Sequence, residues 1–103
     1  MTDKVLSMIG LATRAGKIAA GEFSVEKAVK SGRAVIVIVA EDASNNTKKL
    51  FTNMCAHYNV PLCIYGAKET LGHATGKEVR ASLAILDPGF SEAILKLVNQ
   101  QPA

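Results

Sequence analysis

The sequence predicts an α/β fold: a three-layer α/β/α sandwich on a mixed sheet of about four strands. Apolar residues recur at helical spacing in several segments, and short apolar runs separate those segments. The longest such run, Ala34-Val35-Ile36-Val37-Ile38-Val39-Ala40, is apolar at every position. A strand of that kind is buried on both faces, so helices must cover both sides of the sheet. With 103 residues the chain is long enough for one core, and 1–103 reads as a single domain.

The elements follow in order. A first helix runs from about Asp3 to Arg14, with Thr2 as its candidate N-cap and Val5, Met8, Ile9 and Ala12 as its stripe. Gly16 ends it, and Ile18-Ala19-Ala20 reads as a short edge strand. Gly21 opens a second helix and Gly32 closes it; Val25, Ala28 and Val29 face the core, while Lys27 and Lys30 share the outer side. The Ala34–Ala40 strand comes next. Ser44 begins a long helix to about Tyr58, with Phe51, Met54, Cys55 and Tyr58 at helical spacing; Asn59-Val60-Pro61 breaks it. Leu62–Tyr65 is a strand, Ala67–Thr75 a short helix, and Gly76–Arg80 a polar loop. Leu83–Leu86 is the last strand. Asp87-Pro88 starts the closing helix, whose stripe is Phe90, Ala93, Ile94, Leu97 and Val98; Pro88 suits the first turn.

Twelve basic residues against nine acidic give a formal charge of +3, which permits a polyanionic partner without requiring one. The whole excess lies between Arg14 and Arg33: Arg14, Lys17, Lys27, Lys30 and Arg33 stand against Glu22 and Glu26. The five aromatics, Phe23, Phe51, Tyr58, Tyr65 and Phe90, are too few for a binder that relies on many stacking platforms. The N-terminal pattern is not a signal peptide, and no apolar run is long enough to span a bilayer. Cys55 and Cys63 are too few for a disulfide scaffold. A cytoplasmic location without membrane contact is expected.

Four candidate sites arise. Gly10-Leu11-Ala12-Thr13-Arg14-Ala15-Gly16-Lys17 looks like a P-loop but has the wrong glycine spacing. It also puts Ile18 where a magnesium-binding hydroxyl belongs; a glycine helix stop explains it better. Asp42 and Asp87 each follow a strand, which suggests a magnesium-dependent phosphotransfer enzyme; the alternative role for Asp42, Ser44 and Asp87 is helix capping. Cys55, His57, Cys63 and His73 have poor spacing for zinc. The Gly21–Arg33 helix is the strongest candidate. Its glycine-led start offers free N–H groups and a dipole to an anion, with cations close by. Phe23 sits at its entrance, out of phase with the core stripe, either as a hydrophobic staple or as a contact surface.

Several segments together resemble the ribosomal protein L7Ae family, over nearly the whole chain. They are Gly21…Lys27-Ala28-Val29…Gly32, Val35–Ala40 with Glu41-Asp42-Ala43-Ser44, Asn59-Val60-Pro61, Leu71–Lys77, and Ile85-Leu86-Asp87-Pro88-Gly89-Phe90. The opening Gly10–Lys17 with Gly21-Glu22 is most similar to the bacterial YlxQ branch. The resemblance implies the same three-layer fold and a non-enzymatic, monomeric protein without cofactor. It implies binding to kink-turn RNA, a duplex bent sharply at a bulge, in ribosomal or regulatory RNA, with ribosomal proteins as a further partner class. Ordinary A-form RNA hides its major groove, and a kink opens it locally.

On this pattern Gly21, Glu22, Phe23 and Ser24 approach the bulge, Lys27 matches the family lysine, and Lys30 and Arg33 pair with phosphates. Glu78, Val79 and Arg80 match the segment that packs on extruded bases. Many family members carry Asn-Glu where this chain has Phe23-Ser24. A phenyl ring stacks or packs where an Asn side chain would hydrogen-bond a guanine edge. That departure, with Glu22 beside it, motivates an alternative: a ribosome-associated protein-interaction module without direct RNA contact.

Overall fold

The computed structural model describes residues 3–100. Helix α1 (Lys4–Arg14) is capped by Asp3, whose carboxylate accepts the Leu6 N–H. The expected cap, Thr2, lies outside the described residues. Val5, Ile9 and Ala12 are the buried stripe of α1, and Gly16, with φ +71°, follows its end. The Gly10–Lys17 segment is therefore a helix and its stop, not a phosphate loop. Strand β1 (Ile18–Ala20) leads into α2 (Glu22–Lys30), whose buried residues are Val25, Ala28 and Val29. Strand β2 (Ile36–Val39) is buried throughout.

Helix α3 (Asn45–Tyr58) is capped by Ser44, and strand β3 is Leu62–Ile64. Helix α4 (Lys68–Ala74), strand β4 (Ser82–Ile85) and helix α5 (Pro88–Asn99) complete the fold. Asp87 caps α5 and Pro88 fills its first turn. Phe51, Met54 and Cys55 are buried on α3, but Tyr58 is 41% exposed and stands outside the expected stripe.

The sheet order is β1-β4-β2-β3. β4 runs antiparallel to both neighbours, and β2 and β3 are parallel, so the sheet is mixed. Helices α2 and α3 pack beside each other on one face, and α1 packs against α4 and α5 on the other. The β2 strand is shorter than the apolar run that announced it. The Ala34 N–H donates to the Ala28 carbonyl and so belongs to the stop of α2.

Strand polarity decides what meets at each end of the sheet. Ala20 stands opposite Leu83, and Val39 opposite Ser82. The segments leaving β1 and β2 and the segment entering β4 therefore share one end, and β3, parallel to β2, ends there too. The start of α2 and the 76–81 loop are neighbours for this reason. Gly21 N–H donates to the Ser82 carbonyl at 3.1 Å, and Ala40 N–H to the Ala81 carbonyl at 2.9 Å.

At the same end the Tyr65 hydroxyl donates to the Asp3 carboxylate at 2.7 Å and ties β3 to the cap of α1. Partial burial, the hydrogen bond to Asp3 and the charges of Asp3 and Glu41 push the phenol up to about 12. The protonated phenol is favoured by folding, so its contribution is complete below the ordinary tyrosine value of about 10 and fades as pH rises through the folded value. Tyr65→Phe should lose about half a kcal/mol at neutral pH, as expected for a partly exposed hydrogen bond. Urea unfolding of the two proteins should show that difference narrowing above about pH 10. A constant difference across the alkaline range would contradict the tie.

Candidate nucleic-acid interface

Gly21 caps α2 with φ 94° and ψ 155°, a conformation that L side chains rarely adopt. Its carbonyl accepts the Val25 N–H, while no side chain caps the helix. The first-turn N–H groups, those of Glu22, Phe23 and Ser24, are thus left without a side-chain acceptor and aligned with the positive end of the helix dipole. Glu22 occupies the first turn, where its charge suits the dipole but competes with an incoming anion. Phe23 is 79% exposed, so it is not a packed staple.

The loop between α4 and β4 closes against this helix start. Lys77 N–H donates to the Gly72 carbonyl at 2.7 Å, and Arg80 N–H to the Lys68 carbonyl at 2.9 Å. Thr75 Oγ1 donates to the Leu71 and Gly72 carbonyls. Gly72 is buried directly beneath the loop: a Cβ there would stand 2.5 Å from the Glu78 carbonyl oxygen and 2.7 Å from Val79 N. Gly72 is a site residue that the sequence pattern did not mark. The available signal was a glycine inside a short helix, which costs stability unless something needs the space.

Arg80 joins the two segments. Its Nε and Cδ lie 3.6 and 3.8 Å from where a Gly21 Cβ would be, ordinary van der Waals distances that place the Arg80 side chain beside Gly21. Arg80 Nη1 donates to the Val79 carbonyl at 2.8 Å, and its Nε is buried with no hydrogen-bond partner among the described residues. Val79, held beside it, is 50% exposed. Gly21 to Ser24 and Glu78 to Arg80 thus form one ledge of free amides, a guanidinium and two exposed apolar side chains. An arginine fork with spare donors suits phosphate or base edges, and the apolar side chains suit a base face.

The cations divide along α2. Lys27 is exposed on the same outer side as Phe23, and both line an open depression of about 420 Å³ with Glu26, Lys30 and Ser31. Lys30 donates to Glu26 at 2.7 Å, and that hydrogen bond and charge raise its ammonium above the ordinary lysine value. Arg33 lies past the opposite end of α2, a helix of nine residues that spans about 14 Å at the standard helical rise. It does not belong to the ledge.

The other candidates separate. Asp42 and Asp87 follow strands of opposite direction, so they sit at opposite ends of the sheet and cannot share one magnesium ion. Asp42 instead accepts the Lys68 N–H at 2.8 Å, and Asp87 accepts the Phe90 N–H. The strand ends after which Asp42 and Asp87 follow therefore do not build the expected magnesium-dependent phosphotransfer site. Among the described residues no three of His, Cys, Asp and Glu are grouped closely enough to hold a metal. Cys55 and Cys63 are kept as thiols by burial, which raises both, and His57 packs edge-on against Tyr58 with ring centres 4.9 Å apart.

A family model for the ribosomal protein L7Ae/L30e/S12e/Gadd45 family matches residues 3–95. The chain belongs to this family. The L7Ae kinship extends over nearly full length in two relatives. "RNA-binding protein YlxQ" of Bacillus subtilis (strain 168) is 39% identical over 92 residues, covering 89% of this chain and 92% of that protein. "RNA-binding protein YlxQ" of Enterococcus faecium is 36% identical over 97 residues, covering 94% and 93%.

A protein of unknown function from Bacillus halodurans C superposes with a TM-score of 0.92 at 37% identity, over 96% of this chain and 100% of that one. The Giardia lamblia 15.5kD RNA binding protein superposes with a TM-score of 0.77 at 20% identity, over 97% and 89%, which bears on the fold alone. The kinship is with ribosomal and RNA-binding proteins and not with enzymes. Among the described residues no helix is long and apolar enough to cross a membrane.

Proposed function

We propose that the chain acts as one RNA-binding domain, in the cytoplasm and as a monomer, and that it recognises and stabilises a kink-turn in ribosomal or regulatory RNA. The names of its relatives support RNA as the partner class. The observation that carries the kink-turn reading is the closeness of the Arg80 side chain to Gly21, with Nε 3.6 Å from the position a Cβ would take there. It brings an uncapped helix start and an apolar loop tip to one ledge, although the two are remote in sequence. A straight A-form duplex offers such a ledge only its phosphates and 2′-hydroxyls. A sharply bent duplex offers more at once: an opened groove for the α2 start, extruded bases for Val79, and phosphates for Lys27 and Arg80.

Binding would select the bent form from the ensemble that free RNA samples, shifting it by the difference in affinity for the two shapes. Phe23 and Ser24 supply stacking and amide contacts at the position where many family members carry Asn-Glu. Shape therefore weighs more than guanine-specific hydrogen bonding in this chain. Ribosomal proteins are further candidate partners in the same particle.

The test is a titration of a fluorescently labelled kink-turn beside a straight duplex of equal charge. Tighter binding of the bent RNA by at least tenfold is expected; equal affinity would overturn the reading. One observation favours a second reading. A phenyl ring 79% exposed beside Glu22 also has the form of a protein contact. In that case neither RNA binds, and the chain is retained by a protein of the ribosome or of an RNA-processing complex.

A further inference from the structure

The ledge does not use all of the exposed aromatic and basic surface on this side of the molecule. The outer side of α2 leads away from it through Phe23, Lys27 and Lys30 to the C-terminal end of α3. There Tyr58 stands 41% exposed, within electrostatic reach of the Lys30 ammonium. His57 packs edge-on against the Tyr58 ring. The sheet accounts for the meeting. β3 is parallel to β2, so the end of α3 that feeds β3 lies at the end of the sheet away from the ledge, where α2 also finishes.

We propose that this strip, from Phe23 over Lys27 and Lys30 to Tyr58 and His57, is a track for unpaired nucleotides that continue from the RNA held at the ledge. The inference rests on the kink-turn reading and deepens it, because it carries the RNA beyond the residues that meet the kink, along α2 to Tyr58 and His57.

Three features of the strip fit a single strand. Phe23 and Tyr58, one at each end, leave ring surface open, and every base has a face to stack on them. The depression between Phe23 and Lys30 is open, which suits a flat base better than an enclosed pocket would. The charges favour a polyanion: the Lys27 ammonium has no hydrogen-bond partner among the described residues, Arg33 lies beyond Lys30, and of the two acids on α2 Glu26 is paired with Lys30 while Glu22 lies in the first turn. An exposed lysine–glutamate pair is weak, and a phosphate can replace the carboxylate as partner of the ammonium. A protein partner of the usual kind would find little apolar area here beyond the two rings.

The experiment compares a blunt kink-turn with the same kink-turn carrying a short single-stranded oligouridine extension at one end or the other, read by fluorescence anisotropy. The wild-type chain should bind one of the extended RNAs about tenfold more tightly than the blunt one, the gain expected from stacking one base. Tyr58→Ser should abolish that gain and leave the blunt affinity unchanged, whereas Tyr58→Phe should keep it. Equal affinity for blunt and extended RNAs, or a gain that survives Tyr58→Ser, would overturn the track; the strip would then pass to a protein partner. Should the blunt kink-turn not bind at all, the kink-turn reading fails by itself. The free oligouridine then decides: binding weakened by Tyr58→Ser supports the track, and no binding overturns it.

Discussion

Gly72→Ala is expected to abolish tight kink-turn binding although residue 72 touches no RNA. The added methyl carbon would lie 2.5 Å from the Glu78 carbonyl oxygen and 2.7 Å from Val79 N. Both are backbone atoms, so no side-chain rotation relieves the clash. The loop must lift, and Val79 and Arg80 move with it. Overpacking of this kind costs about 1–3 kcal/mol. The gain in helix propensity on replacing glycine by alanine returns about 1 kcal/mol of that. A thermal melt should therefore show a folded but less stable protein. The larger effect is on function, because the lifted loop no longer lays Arg80 against Gly21. A loss of kink-turn affinity of tenfold or more is expected in a titration at a temperature where the variant is folded. Unchanged affinity would show that the loop is not part of the interface.

The double variant Lys27→Glu, Lys30→Glu is expected to lose affinity by on the order of a hundredfold at moderate salt. Both side chains are exposed, and neither contributes to the core. The reversal at Lys30 also places two carboxylates at i, i+4 with Glu26, which costs a few tenths of a kcal/mol in the helix. Folding should survive. The diagnostic quantity is the salt dependence. If both lysines displace counterions from RNA phosphates, the slope of log affinity against log salt should fall by about two. A large loss of affinity with an unchanged slope would point to misfolding or to a partner bound without counterion release. Charge reversal at Arg33 should have a smaller effect, since Arg33 lies past the far end of α2.

Much of this architecture was legible in the residues. Val25, Ala28 and Val29 at helical spacing, bounded by Gly21 and Gly32, placed α2, and the unbroken apolar run placed β2 as a strand covered on both faces. The ends of that run were not legible. Apolarity reports burial, and Ala34 is buried by the stop of α2 without joining the ladder. Strand direction was not legible either. Asp42 and Asp87 each follow a strand, and only the antiparallel pairing of β2 with β4 shows that they lie at opposite ends.

The candidate interface divides in the same manner. The helix start was readable because its determinants, Gly21, Phe23 and Lys27, are local. The passage of Arg80 over Gly21 joins residues remote in sequence, which no local pattern encodes, whereas the fixing of the loop onto Gly72 left one local trace, a glycine inside a short helix. Tyr58 matched the core spacing of α3 and was assigned to it. Its exposure follows from its place in the last turn, where the helix leaves the sheet before Asn59 turns the chain with φ 57°.

The most direct measurement of the ledge is the kink-turn titration repeated with isotopically labelled protein and followed by amide NMR. Simultaneous shifts at Gly21–Ser24 and Glu78–Arg80, with α1 and α5 undisturbed and no such pattern for a straight duplex, are the expected result. Shifts confined to α1 and α5, or to only one of the two ledge segments, would contradict the existence of one surface for one bent RNA.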